Sequence, residues 1–386
     1  MPGVAAPRSP WRTQELDDLA GLAHRFFTQD VVPHADRFAE QGHPDRVLYR
    51  RAGQLGLMGL SVPEEFGGGG GGFPHEAVLA EEQVKAGDSS LGLNVHCGIV
   101  TGYFVRYGTP EQKGRWLPGL CTGEHVGAIA MTEPGGGSDL QAIRTHAALQ
   151  GDHYVVNGTK TFITNGLLAD VVLLAVKTDT GQGASGISLL VCDVGEDVPG
   201  FRRGRPIKKI GQQGNDTAEL FFDDVRVPAA NLLGGAEGRG FHQLTALLPR
   251  ERLVIAVMAV AAMERALELA VAYAKERSAF GAPIMNYQHI RFTLAECAAL
   301  TRASRLFLDD CITQLAAGTL DIATAAMAKF WLTDNQCRVV DECLQIFGGY
   351  GFTTEYPIGR LYQDARVQKI YGGTNEVMRE LVARAL

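Results

Sequence analysis

The feature that most constrains the fold is a change of pattern along the chain. From Gln14 to about Leu120, and again from about Gly240 to the end, apolar residues recur at helical spacing. Between these parts, from Val126 to about Phe222, short β-branched runs alternate with turn signals such as Asn157-Gly158. No long helical pattern separates these runs, so we expect an antiparallel β-domain rather than a parallel Rossmann sheet. The sequence therefore predicts an α+β, mainly α, protein: an N-terminal helical domain, a central antiparallel β-domain and a C-terminal antiparallel four-helix bundle.

The domain boundaries follow from the same change of pattern. A chain of 386 residues is long enough for a large core and two or three domains. We expect a disordered tail over 1–13, the helical domain over 14–123, the β-domain over 124–238 and the helical bundle over 239–386.

Composition argues against several function classes. The net charge of −7 disfavours nucleic acid or an anionic membrane as the main partner. The seven cysteines form no CxxC pair and no zinc-ligand spacing, so we expect reduced thiols and no metal site. The longest uncharged apolar run, Leu253–Met263, is too short to span a bilayer, and we see no apolar signal segment. We therefore expect a cytoplasmic protein, or one of the mitochondrial matrix if its source is eukaryotic.

A glycine-rich turn stands out in the β-region. Ala128–Thr132 is typical of a buried strand end, and Glu133–Ser138 turns sharply after it. Pro134 fixes one φ, while three glycines permit positive φ and let a ligand touch bare backbone. The turn presents backbone N–H groups beside two hydroxyls, which would suit a flat, acceptor-rich ring or a pyrophosphate. An ordinary glycine loop between strands is the alternative.

Two further motifs accompany this turn. Lys160–Asn165 ends another strand with an aromatic residue and a hydroxyl, and Tyr371–Glu376 opens a C-terminal helix. From about Leu16 to the end, the chain resembles the acyl-CoA dehydrogenase family of flavoproteins, and most closely its long-chain branch. The resemblance implies an FAD-dependent oxidoreductase of fatty acid metabolism with the three-part fold. The motifs that carry it occur in this order: MTEPGGGSD, TKTFITN, ERSAFG, QIFGGYG and YGGTNE.

The resemblance implies which residues contact the flavin within one subunit. Negative charge gathers near N1 and O2 of the isoalloxazine ring on reduction, so fixed backbone donors there favour hydride acceptance. The family often has tryptophan where this chain has Phe162, so the packing role remains without an indole N–H. The implied contacts are Met131, Thr132, Gly137, Ser138, Phe162, Ile163 and Thr164.

The family completes this site with residues of a neighbouring subunit. An arginine suits the cofactor's diphosphate because its donors are forked, and the start of a helix suits an anion. The resemblance therefore implies a homotetramer or a homodimer. The corresponding residues here are Arg277, Phe280, Gln288, Gln345, Gly348, Gly349, Thr374 and Glu376.

The catalytic base is expected outside the usual motif. Many family members carry a glutamate directly after the motif tyrosine, where this chain has Gly372. The long-chain and isovaleryl branches use a glutamate from the first turn of a long helix, and the matching residue is Glu251. Pro249 suits a first helical turn, so we expect Glu251 at a helix N-terminus, where the dipole lowers its pKa and burial raises it. The alternative for Glu251 is a plain capping charge.

The reaction also defines the expected substrate contacts. The α-proton of a thioester is weakly acidic, so the reaction needs a base and donors to the thioester oxygen. By resemblance, the backbone N–H of Gly372 is such a donor, and Gly372 acts with Glu251 in catalysis. Arg252 resembles a residue that touches the CoA portion, with a local ion pair as its alternative. The remaining implied substrate contacts are Ser138, Phe241, Tyr371 and Gly373.

The sequence leaves the substrate and the electron acceptor open. The first expectation is α,β-desaturation of an acyl-CoA, with electrons passed to an electron-transferring flavoprotein. The alternative is a biosynthetic relative that acts on an acyl-carrier-protein thioester or a specialised acyl chain, or that desaturates elsewhere on the chain. An acyl-CoA oxidase would differ mainly in the access of oxygen to the flavin. An intact Glu251 argues against a non-catalytic flavoprotein.

Overall fold

The computed structural model describes residues 8–195 and 197–386. Residues 1–7 of the predicted tail lie outside this part. Residues 8–13 differ from the disordered tail expected there, because they contact the rest of the molecule. The indole N–H of Trp11 donates to Asp309 Oδ1 at 2.9 Å, and the Arg12 guanidinium donates to Glu81 Oε2 at 2.8 Å. The tryptophan, with an apolar ring and a polar N–H, and the ion-paired arginine thus anchor this segment.

The N-terminal part is helical, and side chains cap several of its helices. The Thr13 hydroxyl accepts the Leu16 N–H at 3.3 Å, and Thr109 with Gln112 forms a reciprocal capping box. Two π-helical turns interrupt the α-helices, at Phe27–Val31 and at His96–Val100. The helices are α1 (Gln14–Phe26), α2 (Ala35–Gln41), α3 (Val47–Gln54), α4 (Phe73–Ala86), α5 (Leu93–Val95), α6 (Thr101–Tyr107) and α7 (Pro110–Thr122).

The middle part forms one seven-stranded sheet, and a short two-stranded ribbon follows it further along the chain. The order across the sheet is β1-β4-β2-β3-β7-β6, and β5 also pairs with β4. The strands are β1 (Gly127–Ala130), β2 (His146–Gln150), β3 (His153–Thr164), β4 (Val171–Lys177), β5 (Ile187–Asp193), β6 (Phe201–Arg203) and β7 (Thr217–Pro228), with β8 (Ser278–Ala279) and β9 (Ala282–Pro283) in the ribbon.

The sheet is mixed, although most of its pairs are antiparallel as expected. β1 pairs in parallel with β4, with Gly127 opposite Val171. No hairpin joins these two strands, so chain connectivity does not impose an antiparallel pair. β4 is also buried on both faces: Leu173 packs with the helices α6 and α7, and Leu174 packs on the opposite side. Strands covered on both faces are typical of parallel pairing.

The C-terminal part is a bundle of long helices with a shared apolar core. Fully buried alanines on the first helix, such as Ala266, Ala270 and Ala274, let its neighbours approach closely. The predicted class, mainly α with a central β-domain and a helical bundle, is therefore confirmed. In the described part of the chain, every helix is too short or too polar to cross a membrane. The helices are α8 (Gly240–Glu276), α9 (Gln288–Ala316), α10 (Ile322–Phe347), α11 (Pro357–Ala365) and α12 (Asn375–Ala383).

A buried ion network joins the N-terminal helices to the bundle. Arg305 on α9 donates to Glu81 Oε1 on α4 at 2.6 Å and to Glu264 Oε1 on α8 at 2.8 Å. Burial alone would raise the pKa of Glu81, but the charges of Arg305, Lys85 and Arg12 hold it below its ordinary value. The two helical parts are therefore held in one orientation beside the sheet.

Candidate active site

Glu251 lies well inside α8 rather than at a helix start. The helix begins at Gly240, so about three turns precede Glu251, and Pro249 is an interior residue. The prediction of a helix N-terminus at this point is wrong. Pro249 removes one backbone donor, but the buried residues Leu247 and Leu253 hold the helix in place on either side. The helix dipole acts within the first turn and therefore does not set the pKa of Glu251.

The Glu251 carboxylate is buried and hydrogen-bonded. Glu251 is 5% exposed, and its Oε1 accepts the Tyr103 hydroxyl at 2.9 Å. Burial raises the pKa of Glu251 to about 7, against the hydrogen bond from Tyr103 and the charges of Arg252 and Arg250. A carboxyl group with a pKa near neutrality can accept a proton at working pH, as a general base must.

Arg250 is bound to groups other than Glu251. Its guanidinium donates to Glu76 Oε1 at 2.5 Å and to the Gly98 carbonyl at 2.6 Å. Glu76 is 3% exposed and also accepts a hydrogen bond from the Ser61 hydroxyl. This ion pair joins α4 to α8 beside the candidate base. Arg250 therefore acts on Glu251 by long-range electrostatic attraction and not by direct contact.

The glycine turn before α12 lies against the same face of α8. Gly372 has φ 67°, and a Cβ there would stand 2.4 Å from Ile255 Cδ1. Ile255 follows Glu251 by one helical turn, so the turn and the carboxylate are neighbours. Arg252, also buried, donates from Nε to the Gly372 carbonyl at 3.4 Å. The structure thus brings together Glu251, Arg252, Gly372 and Gly373, as the sequence predicts.

A buried lysine supports this turn from behind. Lys329 on α10 donates to the Gly373 carbonyl at 2.8 Å and to Asn375 Oδ1 at 2.9 Å. Burial lowers the pKa of Lys329 to about 7, and the nearby charge of Arg252 adds to this effect. Thr374 accepts the Val377 N–H at 3.4 Å and caps α12. The predicted helix start is therefore present, and Glu376 lies in its first turn.

A second buried lysine fixes the glycine-rich turn after β1. Lys160 is fully buried and donates to the Met131 carbonyl at 3.0 Å and to Glu133 Oε1 at 2.9 Å. Glu133 also accepts the backbone N–H groups of Arg144 and Thr145 at 2.7 and 2.9 Å. Burial opposes ionisation of Glu133, but Lys160 and these hydrogen bonds hold its pKa below the ordinary value. The turn that carries Thr132, Gly137 and Ser138 is therefore fixed from below.

Phe162 presents its ring to solvent beside this turn. The register between β3 and β7 shifts between Lys160 and Ile163, and within this bulge Phe162 has φ 57°. Its side chain is left 64% exposed. The Thr161 N–H donates to the Thr132 carbonyl at 2.9 Å, so the bulge and the turn are adjacent. A phenylalanine held at positive φ with its ring outside the core is a strained arrangement that points to a ligand.

Most of the predicted partner-side residues lie at the far end of the bundle, whereas Thr374 and Glu376 begin α12 beside the Gly372 turn. Four of them line a cavity of 440 Å³ between α8 and the end of α10, with Tyr273 and Phe347 stacked in its wall. Phe280 is 98% exposed and lies in the β8–β9 ribbon, just before α9 begins at Gln288. The predicted residues that line the cavity are Arg277, Gln345, Gly348 and Gly349.

This group is distant from Glu251 within one chain. Arg277 directly follows α8 and lies 26 positions after Glu251, with helix between them. At 1.5 Å per residue the two are about 39 Å apart, which is farther than one dinucleotide reaches. The structure therefore does not unite all the predicted cofactor residues in one site of one chain.

The remaining predicted residues occupy varied environments. Ser138 is exposed on the turn, and Ile163 is buried whereas Thr164 is partly covered. Phe241 packs on the apolar core shared by α6, α7 and the sheet. Burial raises the pKa of Tyr371, whose hydroxyl pairs with Gln212.

Several side chains that shape the site were missed by the sequence reasoning: Tyr103, Glu133, Lys160 and Lys329. Glu133 and Lys160 lie within the quoted motifs, so the motifs could have pointed to them. Tyr103 and Lys329 carry no local signal, because their partners are 148 and 44 positions away.

Comparisons with known proteins agree with this architecture. Models of the acyl-CoA dehydrogenase N-terminal, middle and C-terminal domains match residues 13–124, 128–225 and 238–386. The mitochondrial long-chain specific acyl-CoA dehydrogenase of Sus scrofa is 43% identical over 97% of this chain and 87% of its own length. The crystal structure of acyl-CoA dehydrogenase from Geobacillus kaustophilus superposes with a TM-score of 0.94 at 43% identity, covering 98% of this chain and 99% of that one.

A further solved structure, acyl-CoA dehydrogenase from Bacillus anthracis complexed with FAD, has a TM-score of 0.90 at 32% identity. The superposition covers 98% of this chain and 68% of the Bacillus anthracis chain. The fold, the arrangement around Glu251 and these matches lead to one conclusion: the chain belongs to the acyl-CoA dehydrogenase family of oxidoreductases.

Proposed function

We propose that this chain is an FAD-dependent dehydrogenase that converts a saturated acyl-CoA thioester into the trans-2-enoyl-CoA, with fatty acid oxidation as its context. The observation that carries the proposal is Glu251, a buried carboxyl group with a pKa of about 7 beside the Gly372 turn. FAD, when bound, accepts the hydride that leaves Cβ of the acyl group. The α-proton goes to the protein.

Two features of the chain fit a flavin. Phe162 offers an exposed aromatic face next to the fixed turn after β1. At Gly135 no atom lies within 4 Å of the position a Cβ would take, so a ligand can approach the backbone. We propose that Met131–Ser138 and Phe162–Thr164 would hold the isoalloxazine ring, with Phe162 as its aromatic contact. The FAD-bound relative from Bacillus anthracis supports the same cofactor here.

The protein's own residues account for the proton step. Glu251 accepts the α-proton, and the electron pair of that C–H bond forms the Cα=Cβ double bond as the hydride leaves. The Gly372 N–H donates to the thioester oxygen, where enolate charge develops. Arg252 holds the carbonyl of the same residue and thereby orients the turn. Arg252 is 5% exposed, so we assign it this orienting role besides the CoA contact implied by resemblance.

The cofactor site is proposed to form between two subunits. The cavity beside Arg277 is about 39 Å from Glu251 in the same chain, so it serves the cofactor of a neighbouring copy. Exposed aromatic residues around it, Phe280, Tyr350 and Phe352, suit burial in such an interface. We therefore propose a homodimer, or a homotetramer built from two such dimers.

Each turnover removes two electrons from the substrate, and an acceptor must take them up before the next turnover. By resemblance we propose an electron-transferring flavoprotein as the acceptor. Ser138, Phe241, Tyr371 and Gly373 remain the proposed contacts to the acyl-CoA, and the match to long-chain relatives favours a long acyl chain.

An anaerobic titration of the purified protein with saturated acyl-CoAs from short to long chains tests this proposal. We expect the flavin absorbance to bleach rapidly with one range of chain lengths. If no acyl-CoA bleaches the bound flavin but an acyl-carrier-protein thioester does, the substrate is carrier-bound rather than a CoA thioester. Turnover in air with peroxide formation would instead identify an oxidase. Absence of flavin binding would overturn the proposal.

A further inference from the structure

Tyr103 comes from a different part of the chain from the carboxylate it contacts. It lies on α6 in the N-terminal part, whereas Glu251 lies on α8. Its side chain is fully buried in a core with Phe104 and Leu247, so packing fixes the phenol ring. The hydroxyl then reaches Glu251 Oε1 at 2.9 Å. A donor fixed in this way restricts the rotamers of the carboxylate before any ligand binds.

We propose that Tyr103 is a positioning residue for the base: its hydroxyl holds Oε1 of Glu251, leaves Oε2 to accept the α-proton, and stabilises the ionised carboxylate in its buried setting. This inference rests on the proposed function, because it takes Glu251 as the base. The physical reason is that a hydroxyl donates a stronger hydrogen bond to a carboxylate than to a protonated carboxyl group.

The other charged groups around Glu251 have partners of their own. On α8, Arg250 is held by Glu76 of α4, and Arg252 donates to the Gly372 carbonyl. On α10, Lys329 donates to the Gly373 carbonyl and to Asn375. These cations act on Glu251 through space, whereas Tyr103 acts by direct contact. The hydrogen bond from Tyr103 counteracts the effect of burial on the pKa of Glu251. Removing the phenol hydroxyl should therefore raise that pKa further.

The chain offers a matched control one helical turn away. The ring centroid of Tyr107 is 6.3 Å from that of Tyr103. Its hydroxyl is buried and has no hydrogen-bond partner within the described residues. Tyr107→Phe therefore removes the same chemical group as Tyr103→Phe, without removing a contact to Glu251.

The test compares the pH dependence of kcat for the FAD-loaded wild type and three variants, with an artificial electron acceptor. For Tyr103→Phe we expect the acidic limb to move up by about one pH unit, so that kcat well below the midpoint falls about tenfold. The rate should recover at high pH, and KM should change little. Tyr107→Phe should reproduce the wild-type profile, and Glu251→Gln should lose turnover at every pH.

A readout without turnover uses the infrared carboxyl band of the apoprotein, isolated by subtracting the spectrum of Glu251→Gln. Its titration midpoint should rise by the same amount in Tyr103→Phe. Replacement of Tyr103 by 3-fluorotyrosine, a stronger donor of nearly the same shape, should move the midpoint downward and does not depend on the folding of the phenylalanine variant.

The outcomes separate the two claims. Unchanged midpoints in both Tyr103 variants, with an inactive Glu251→Gln, would overturn the role of Tyr103 and leave Glu251 as the base. An active Glu251→Gln would overturn the proposed function itself. A shift in Tyr107→Phe equal to that in Tyr103→Phe would show a general packing effect and also contradict the inference.

Discussion

Gly372 lies against Ile255 so closely that a Cβ at position 372 would stand 2.4 Å from Ile255 Cδ1. Ile255 is one helical turn beyond Glu251, so both residues face the same turn of the chain. A glutamate at position 372, where many family members carry their base, would require Ile255 Cδ1 to move and would hold a side chain at φ 67°. We propose that the carboxylate of Glu251 on α8 supplies the base that the glycine at position 372 lacks.

This contact and the positive φ of Gly372 predict that glycine is favoured at position 372. Gly372→Ala adds a methyl group at 2.4 Å from Ile255 and places a side chain at φ 67°, so we expect a loss of about 1–3 kcal/mol of stability. The melting temperature and kcat should both fall. Gly114→Ala is the control, because no atom lies within 4 Å of its added Cβ in α7. Wild-type activity in Gly372→Ala would contradict the close contact.

The buried carboxylate also predicts how stability depends on pH. Burial raises the pKa of Glu251 from 4.5 to about 7, so the folded state binds its proton more tightly than the unfolded state. Stability therefore falls as pH rises through this window. At pH 8, Glu251→Gln should increase the free energy of unfolding by roughly 1–3 kcal/mol and so raise the melting temperature. At pH 4.5 both quantities should change little. An equal effect at both pH values would show that ionisation of Glu251 is not involved.

The Lys160–Glu133 pair predicts a loss of cofactor when it is broken. Lys160→Met leaves a buried carboxylate without its cation, which costs about 3–5 kcal/mol. The turn that carries Thr132 and Ser138 loses its support, so FAD content after gel filtration should drop. Lys177→Met, which changes a less buried lysine on β4, should keep the cofactor. The double variant Lys160→Met with Glu133→Gln should recover part of the stability, whereas no recovery would contradict the pairing argument.

The proposed division of the cofactor site between subunits predicts complementation. Glu251→Gln removes the proposed base, and Arg277→Ala removes a side chain from the cavity at the other end of the bundle. A mixed oligomer of the two variants contains sites in which an intact Glu251 faces an intact Arg277. Co-refolding two weakly active variants should therefore restore activity, up to about one site in each mixed pair. If both groups served one site in the same chain, mixing would restore nothing.

The sequence predicts those parts of the molecule that depend on local pattern. The helical and β segments, the glycine turns and the start of α12 follow from residue spacing and capping. His96 is a buried core residue: it accepts the Gly127 N–H and pairs with the Leu120 carbonyl, and burial lowers its pKa to about 4.

Other features depend on contacts that local rules do not describe. Pro249 normally marks a helix start, but burial on both sides carries α8 through it. The parallel pairing of β1 with β4 joins strands that are not consecutive in the chain, so no hairpin turn in the sequence indicates it. Tyr103 reaches Glu251 across 148 positions. Long-range packing decides each of these cases.

The role of Glu251 is tested most directly by single-turnover reduction of the bound flavin under anaerobic conditions. Glu251→Gln keeps the size of the side chain and an acceptor for Tyr103, but removes the basic oxygen. We predict that this variant binds FAD and a saturated acyl-CoA as the wild type does, and that flavin reduction slows by several orders of magnitude. Flavin reduction at a rate within tenfold of wild type would contradict Glu251 as the base.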